Sequence, residues 1–214
     1  MSNGRVFADI ADSYDRINRI LSLGQDQAWR MRAVSHLPSG RLLDLGAGTG
    51  AANEIFSRFE VVALDPAPEM IARNAARHRV VAVGEALPFT AESFDAVFSA
   101  YVVRNLDSLE SALDEINRIL RPGGRAGIVD LGRPATPLKA RLHRLGTAVV
   151  LPAVGILAGA RAEYSYLHHS LDKLAAPEEL YAATPFEVID LWRMGPLGFV
   201  YGIVLEKRYR SIAS

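Results

Sequence analysis

Hydrophobic and polar residues alternate in blocks along the chain, and the blocks switch between two periods. Short apolar runs predict buried strands, and segments with apolar positions three or four residues apart predict helices. From residue 41 onward the predicted strands are 42–46, 61–65, 79–83, 94–100 and 125–130, and the predicted helices are 51–58, 67–77 and 108–120. This alternation predicts a parallel sheet with right-handed crossovers and helices on both faces.

The two ends of the chain depart from the alternation. Apolar residues at helical spacing over 1–40 predict two helices that cover the main body. They could form an amphipathic cover alone, or place Tyr14, Asn18 and Trp29-Arg30 over the ligand cleft. The apolar runs 186–191 and 199–206 predict two strands, and the connection between them is short enough for an antiparallel hairpin. We therefore predict a doubly wound α/β fold, with a mostly parallel sheet whose last strand is antiparallel.

The most apolar stretch is 145–160, which has no charged residue. Its 16 residues fall short of the roughly 20 that span a bilayer, and Pro152 would break a straight helix. A buried lid helix and a pocket for a long apolar substrate both remain open, and interfacial membrane contact would accompany the pocket. Lys139, Arg141 and Arg144, just upstream, could meet anionic headgroups or form a solvated helix face.

Length and composition favour one domain. The 214 residues, half of them apolar, are enough for one sizeable core. Within one domain over 1–214 we expect a helical cover over 1–40, a cofactor-binding core over 41–134, a helical lid over 135–176, and a C-terminal helix and strands over 177–214.

The charge balance and the start of the chain restrict the expected partners and the expected location. Lys plus Arg and Asp plus Glu both total 24, so no global field favours nucleic acid. The absence of cysteine excludes disulfides and thiolate metal sites, and the charged start of the chain lacks a signal core, so we expect a cytoplasmic protein. Peripheral membrane contact and a homodimer both remain open.

A glycine-rich turn, Arg-Leu-Leu-Asp-Leu-Gly-Ala-Gly-Thr-Gly over 41–50, follows the first strand. Gly46, Gly48 and Gly50 remove the Cβ atoms that would keep a ligand away from the backbone. The ligand would lie over the N-terminus of the helix predicted to follow. A turn of this kind is typical of nucleotide-type cofactors, although its spacing also satisfies the loose dinucleotide fingerprint.

Two carboxylates distinguish between the candidate ligands of this turn. Asp44, two residues before the first glycine, would repel a pyrophosphate and attract an ammonium or sulfonium group. S-adenosylmethionine carries both cations and no phosphate. Asp65 ends the next strand, where an acid usually binds ribose hydroxyls of either cofactor. The pattern favours S-adenosylmethionine over a dinucleotide, and over a turn that binds nothing.

The sequence resembles the class I S-adenosylmethionine-dependent methyltransferases and, within them, the ubiquinone/menaquinone C-methyltransferase family. The resemblance runs through nearly the whole chain. Its motifs are Phe7-x-x-Ile10-Ala11-x-x-Tyr14-Asp15-x-x-Asn18, Trp29-Arg30, Leu43-Asp44-Leu45-Gly46-x-Gly48-Thr49-Gly50, Leu87-Pro88-Phe89, Arg104-Asn105, Pro122-Gly123-Gly124 and Tyr164-x-Tyr166-Leu167. The N-terminal pattern, Arg104-Asn105 and the Tyr164 segment are the most specific to that family.

The resemblance implies a seven-stranded fold and methyl transfer, without a metal, to a ring carbon of a polyprenylated quinol. The implied cofactor contacts are Asp44, Gly46, Gly48, Thr49, Asp65, Pro66, Val83, Gly84 and Ala100. Val83 departs from the usual Asp or Asn at the adenine edge, and Ala100 replaces a usual Ser. Alternatives are another phenolic or isoprenoid acceptor, and a cofactor-binding protein that supports an assembly without catalysis.

Carbon methylation of a phenol requires its proton to be removed or strongly polarised. Arg104 would stabilise the phenolate or orient a water molecule that takes the proton, and Asn105 would fix the ring oxygen. Alternatively, Arg104 pairs with Asp107 or Asp130 and braces the loop. Tyr166 is the expected substrate contact near the lid.

Overall fold

The computed structural model describes Ser22, 24–136, 138–139, 141–142, 145 and 175–209. Predictions that concern the first helix of the N-terminal cover, most of the lid, and the side chains of Tyr14, Asn18 and Tyr166 lie outside the described residues. Within the described part of the chain, every helix is too short or too polar to cross a bilayer.

A seven-stranded sheet forms the centre of the fold. Its strands are β1 (Gly40–Leu45), β2 (Phe59–Asp65), β3 (His78–Val81), β4 (Phe94–Ala100), β5 (Leu120–Leu131), β6 (Glu187–Met194) and β7 (Val200–Glu206). Their order across the sheet is β3-β2-β1-β4-β5-β7-β6, and β1 to β5 pair in parallel. The predicted doubly wound, mostly parallel sheet is confirmed.

The last strand, β7, runs antiparallel to its neighbour β5, as predicted. Near the start of β5, the Gly123 N–H donates to the Lys207 carbonyl (3.0 Å), beyond the end of β7. Past the end of β5, the Gly132 N–H donates to the Phe199 carbonyl (2.8 Å), just before β7 begins. Because the partner number falls as the β5 number rises, the two strands have opposite directions.

The central strands are buried on both faces, which explains their continuous apolar runs. Leu42 and Leu43 of β1 and Ala96 and Val97 of β4 are all fully buried. Side chains alternate between the two faces of a strand, so burial of consecutive residues requires cover on both sides.

The described helices are α1 (Asp26–Ser35), α2 (Pro68–Ala72), α3 (Leu109–Ile119) and α4 (Pro177–Leu180), with 3₁₀ turns at Asn53–Phe56, Val103–Asn105 and Pro196–Gly198. Helix α3 matches its prediction. The Ser108 hydroxyl caps its start by accepting from the Ser111 N–H (3.1 Å), and the helix buries Leu113, Ile116 and Ile119.

Two predicted helices are shorter in the structure. The helix predicted over 51–58 is a single 3₁₀ turn, and the helix predicted over 67–77 ends at Ala72. Asn74 explains both differences, because its side chain forms hydrogen bonds with Gly48, Asn53 and Ala76. Its amide donates to the Gly48 carbonyl (3.2 Å), and its oxygen accepts from the Asn53 amide (3.0 Å) and the Ala76 N–H (2.8 Å).

Helix α3 also holds the connection that follows β3. Arg118 donates to the carbonyls of Phe89 (2.7 Å) and Leu87 (2.9 Å), and Glu115 accepts from the Leu87 N–H (2.7 Å). The Arg118 guanidinium bonded to Glu115 lowers the pKa of that carboxyl. The Leu87-Pro88-Phe89 motif is therefore fixed through its backbone.

The chain divides into two compact units: Met1–Val129 with Thr184–Leu191 and Gly202–Ser214, and Asp130–Ala183 with Trp192–Tyr201. The first unit contains the glycine-rich turn. The second contains a buried pair of phenols, since the hydroxyls of Tyr181 and Tyr201 lie 3.1 Å apart and burial raises the pKa of both. The predicted partition into cover, core and lid stays a prediction.

Candidate cofactor and active site

A cavity of about 260 Å³ opens in the first unit, beyond the carboxyl ends of β1, β2 and β4. Ligands bind at this edge in open α/β sheets. Its walls include Arg30, Leu45, Gly46, Ala47, Gly48, Thr49, Ala51, Leu64, Asp65, Pro66, Ala67, Met70, Val83, Gly84, Glu85, Tyr101, Val102, Asn105, Leu106 and Asp107. Eight residues predicted to bind cofactor or substrate therefore share one cavity: Gly46, Gly48, Thr49, Asp65, Pro66, Val83, Gly84 and Asn105.

The glycine-rich turn forms one wall. The N–H groups of Gly46 and Ala47 both donate to the Leu64 carbonyl, at 2.8 and 3.0 Å, which ties the turn to the end of β2. Gly46 has φ +72°, and a Cβ there would collide with the Val102 side chain. Gly46 therefore needs to be glycine for conformation and for space.

Asp65 links that turn to the segment after β2. One carboxylate oxygen accepts from the Gly48 N–H and the other from the Ala67 N–H, both at 2.9 Å. Burial raises the pKa of Asp65, and these two backbone hydrogen bonds act in the opposite direction. Its position at the strand end, on the cavity wall, is the one from which an acid binds ribose hydroxyls.

Asp44, one residue before the end of β1, is not among the wall residues. Its carboxylate is buried within β1, and Oδ2 has no hydrogen-bond partner in the described part of the chain. Burial raises the pKa of Asp44 to about 7; nearby Arg30 acts to lower it, and Asp65 adds to the rise. A cation in the cavity would favour the charged form of Asp44.

The predicted adenine contact is apolar in the structure. Val83 is 47% exposed, and Gly84 is close-packed, since a Cβ there would lie 3.2 Å from Leu106. Glu85 accepts from the Asp107 N–H (2.8 Å), which joins the two segments on this side. Val83 and Leu106 offer apolar contacts to a flat ring, as the sequence departure from Asp or Asn implies.

The predicted acceptor residues occupy the turn after β4. Asn105 lies on the cavity wall, and its amide donates to the Tyr101 carbonyl (3.4 Å). Arg104 precedes it in the same 3₁₀ turn with Nη1 buried, and is not among the wall residues. Ala100, at the end of β4, is likewise not among them. The roles of these residues stay predictions.

The cavity also includes wall residues that the sequence predictions did not assign to the cofactor. Tyr101 has φ +64°, which is rare for a bulky residue, and carries no local sequence signal for it. Arg30 stands in the Trp29-Arg30 segment, which one interpretation of the N-terminal helices placed over the cleft without a defined role. Met70 comes from α2, where it resembles an ordinary helix position.

The residues present fit S-adenosylmethionine better than a dinucleotide. Buried Asp44 and Asp65 favour a cation near the turn and disfavour a pyrophosphate. The turn also leads into a single 3₁₀ turn, Asn53–Phe56, instead of the α-helix whose N-terminus would bind phosphate. The sheet and this acidic, glycine-lined cavity together define an S-adenosylmethionine-dependent methyltransferase.

Comparison with known proteins gives the family. A model described as the ubiE/COQ5 methyltransferase family matches residues 2–184, and the chain belongs to that family. It is 37% identical over 190 residues to the ubiquinone/menaquinone biosynthesis C-methyltransferase UbiE of Syntrophotalea carbinolica, covering 81% of this chain and 80% of that protein. It is 38% identical over 193 residues to the demethylmenaquinone methyltransferase of Thermus thermophilus, covering 83% and 88%.

A solved structure supports the fold at lower identity. A methyltransferase from Thermotoga maritima, described as a possible histamine N-methyltransferase, superposes with a TM-score of 0.68 at 20% identity. The match covers 96% of this chain and 99% of the other. At this identity the likeness shows the shared fold alone.

Replacing Asp65 by alanine is expected to weaken S-adenosylmethionine binding about 10- to 100-fold, because charge-assisted hydrogen bonds to the ribose are lost. Isothermal titration calorimetry measures the affinity. Glu69→Ala, four residues away and exposed on α2, is the matched control and should bind normally. Equal affinity in Asp65→Ala and the control would contradict the ribose placement.

Proposed function

We propose that this chain transfers a methyl group from S-adenosylmethionine to a ring carbon of a polyprenylated quinol. The observation that carries the proposal is the Arg104–Asn105 pair in the 3₁₀ turn that follows β4, with Asn105 on the wall of the cofactor cavity. A positive group and an amide at this point match the needs of a phenol that becomes a phenolate. The names of the Syntrophotalea and Thermus relatives support the quinone class of acceptor.

The bound cofactor supplies an electrophilic methyl group on a sulfonium. The task of the protein is to aim the ring carbon at that group and to make the ring electron-rich. Arg104 stabilises the negative charge on the ring oxygen, or orients a water molecule that takes its proton, and Asn105 fixes that oxygen by hydrogen bonding. The ring carbon would take the methyl group as the bond between methyl and sulfur breaks, which leaves S-adenosylhomocysteine. The ring carbon would then lose its proton to a water molecule. Tyr166 is proposed as a further substrate contact.

A surface in the second unit supports peripheral membrane contact as part of the proposal. Leu138, Leu142 and Leu145 recur at helical spacing and are 69%, 49% and 60% exposed. Lys139 and Arg141 lie among them and are exposed. Apolar side chains beside basic ones suit the interface of an anionic bilayer, where a prenylated quinol would be dissolved. The cytoplasmic location and the homodimer stay predictions.

The test is a single-turnover assay with labelled S-adenosylmethionine. One arm uses a short-chain demethylated naphthoquinol in solution, and the other uses the long-chain quinol in anionic or zwitterionic vesicles. We expect labelled methyl on the quinol ring in both arms, with faster turnover from anionic vesicles. Mass spectrometry of the product identifies the methylated position.

Each other outcome points away from the proposal. Methylation of simple phenols or isoprenoid lipids, with none on the quinol, would assign a different acceptor to the same donor site. Tight cofactor binding without methylation of any acceptor would favour a non-catalytic role in an assembly. A comparison of quinones extracted from cells with and without the protein serves as an independent check.

A further inference from the structure

Arg30 of α1 lies on the wall of the cofactor cavity, although its side chain is only 8% exposed. It donates no hydrogen bond within the described part of the chain, and its Nε is buried. The closest carboxylate oxygen, Oδ2 of Asp26, lies 4.0 Å from that nitrogen, which is beyond hydrogen-bonding distance. Among the described residues, this nearly buried guanidinium with five donors therefore has no hydrogen-bond acceptor.

The described residues around this guanidinium hold it in place without accepting hydrogen bonds from it. Its central carbon lies 5.3 Å from the ring centroid of Tyr101, a cation–π distance, and Tyr101 is another wall residue. Asp26 supplies charge from the same helix, four residues earlier. Burial of a charge with so few hydrogen bonds costs free energy, and such a group is expected to gain acceptors from a ligand.

The second charge of the site has the opposite sign. Asp44 is close enough to Arg30 for their charges to interact, and its Oδ2 has no hydrogen-bond partner in the described residues. An unsatisfied guanidinium and an unsatisfied carboxylate next to one cavity are complementary to a zwitterion. The amino-acid end of S-adenosylmethionine is a zwitterion, with a carboxylate and an ammonium on one carbon.

We propose that Arg30 binds the carboxylate of the amino-acid end of S-adenosylmethionine, opposite an ammonium group that faces Asp44. A guanidinium binds a carboxylate through parallel N–H donors, which an ammonium side chain does not reproduce. The inference depends on the methyl donor alone and is independent of the quinol proposed as acceptor. It gives α1 a function beyond covering the sheet, because the helix delivers one pole of the donor site.

The experiment compares two donors that differ by the carboxylate: S-adenosylmethionine and decarboxylated S-adenosylmethionine. Calorimetry without any acceptor measures both affinities. The quantity compared is the affinity for S-adenosylmethionine divided by the affinity for decarboxylated S-adenosylmethionine. Arg30→Met keeps the apolar stem and removes the guanidinium. We expect the ratio of the two affinities to fall about 10- to 100-fold in this variant, as for the loss of a charge-assisted bidentate contact.

Arg32→Met is the matched control, because Arg32 belongs to the same helix but is half exposed and pairs with Asp190 (3.8 Å). Its ratio should equal that of the wild type. Arg30→Lys keeps the charge, loses the fork, and should recover part of the ratio. If thermal denaturation shows that Arg30→Met is not folded, Arg30→Lys and Arg30→Gln provide the same comparison.

An unchanged ratio in the Arg30 variants would overturn the inference, even if both affinities fell, because equal losses indicate a structural role. Because this assay contains no acceptor, a ratio that falls assigns the effect to the carboxylate of the donor. Failure of quinol methylation would leave this result intact, so the two proposals are tested separately.

Discussion

Asp44→Asn is expected to weaken S-adenosylmethionine binding about 100-fold or more at pH 8, while making the free protein more stable at that pH. Both effects follow from one buried charge. The carboxylate costs free energy when nothing compensates it, and it attracts the ammonium and sulfonium of the donor when they are bound. The asparagine removes the cost and the attraction together.

The direction of the pH dependence follows from the raised pKa. Folding raises the pKa of Asp44 from 3.8 to about 7, so the folded protein binds a proton that the unfolded chain has released between those values. The associated stability is complete below about pH 3.8 and is lost as the pH rises through 7. The full loss is on the order of 4 kcal/mol, at 1.36 kcal/mol per unit.

Denaturant unfolding of the free protein at several pH values tests the stability effect. The difference in the free energy of unfolding, Asp44→Asn minus wild type, should rise by about 2 to 3 kcal/mol between pH 5 and pH 8. Over pH 5.5 to 7 the wild-type affinity for S-adenosylmethionine should rise about tenfold. A difference that does not change with pH, together with unchanged affinity, would mean that another group provides the negative charge.

Arg104→Ala is expected to lower the rate of methyl transfer by about 100-fold or more, the range for a lost acid–base or electrostatic contact. Its affinity for S-adenosylmethionine should stay within about threefold of wild type, a change small beside that of a lost charged hydrogen bond. The structure separates these quantities, because Arg104 is not among the residues of the cofactor cavity wall. Single-turnover kinetics at saturating donor measures the rate, and calorimetry measures the affinity.

Arg73→Ala provides the control for Arg104→Ala, since Arg73 is an exposed arginine at the end of α2. It should leave both quantities unchanged. Asn105→Ala should change rate and affinity together, because Asn105 does contribute to the wall. A normal rate in Arg104→Ala would remove this residue from the mechanism and favour the alternative that it braces the loop.

Strands were easier to predict than helices in this chain. The prediction for β4, 94–100, agrees with its observed bounds, because a buried strand needs an uninterrupted apolar run and little else can produce one. The helices over 51–58 and 67–77 were overestimated because Asn74 binds Gly48 and Asn53 across the turn. Such side-chain competition depends on residues that are distant in sequence.

The same distinction, between local sequence patterns and contacts distant in sequence, applies to the site. Asp65 and the glycines could be located because a turn after a buried strand has a local signature. Arg30 could not be assigned a partner, because its neighbours Tyr101 and Asp44 come from other elements. The left-handed backbone of Tyr101 was also invisible, since the residue is not glycine and only the fold around it imposes that conformation.

The hydrogen bonds from Arg118 to the carbonyls of Leu87 and Phe89 have a consequence for sequence variation in this chain. The loop that carries Val83 and Gly84 is anchored downstream by a side chain of α3, outside the donor cavity. We therefore predict that a substitution on that helix alters Val83 and Gly84, the predicted adenine contacts, while touching no ligand atom. Random mutagenesis selected for altered donor preference should return changes at Glu115 and Arg118 alongside those at the cavity itself.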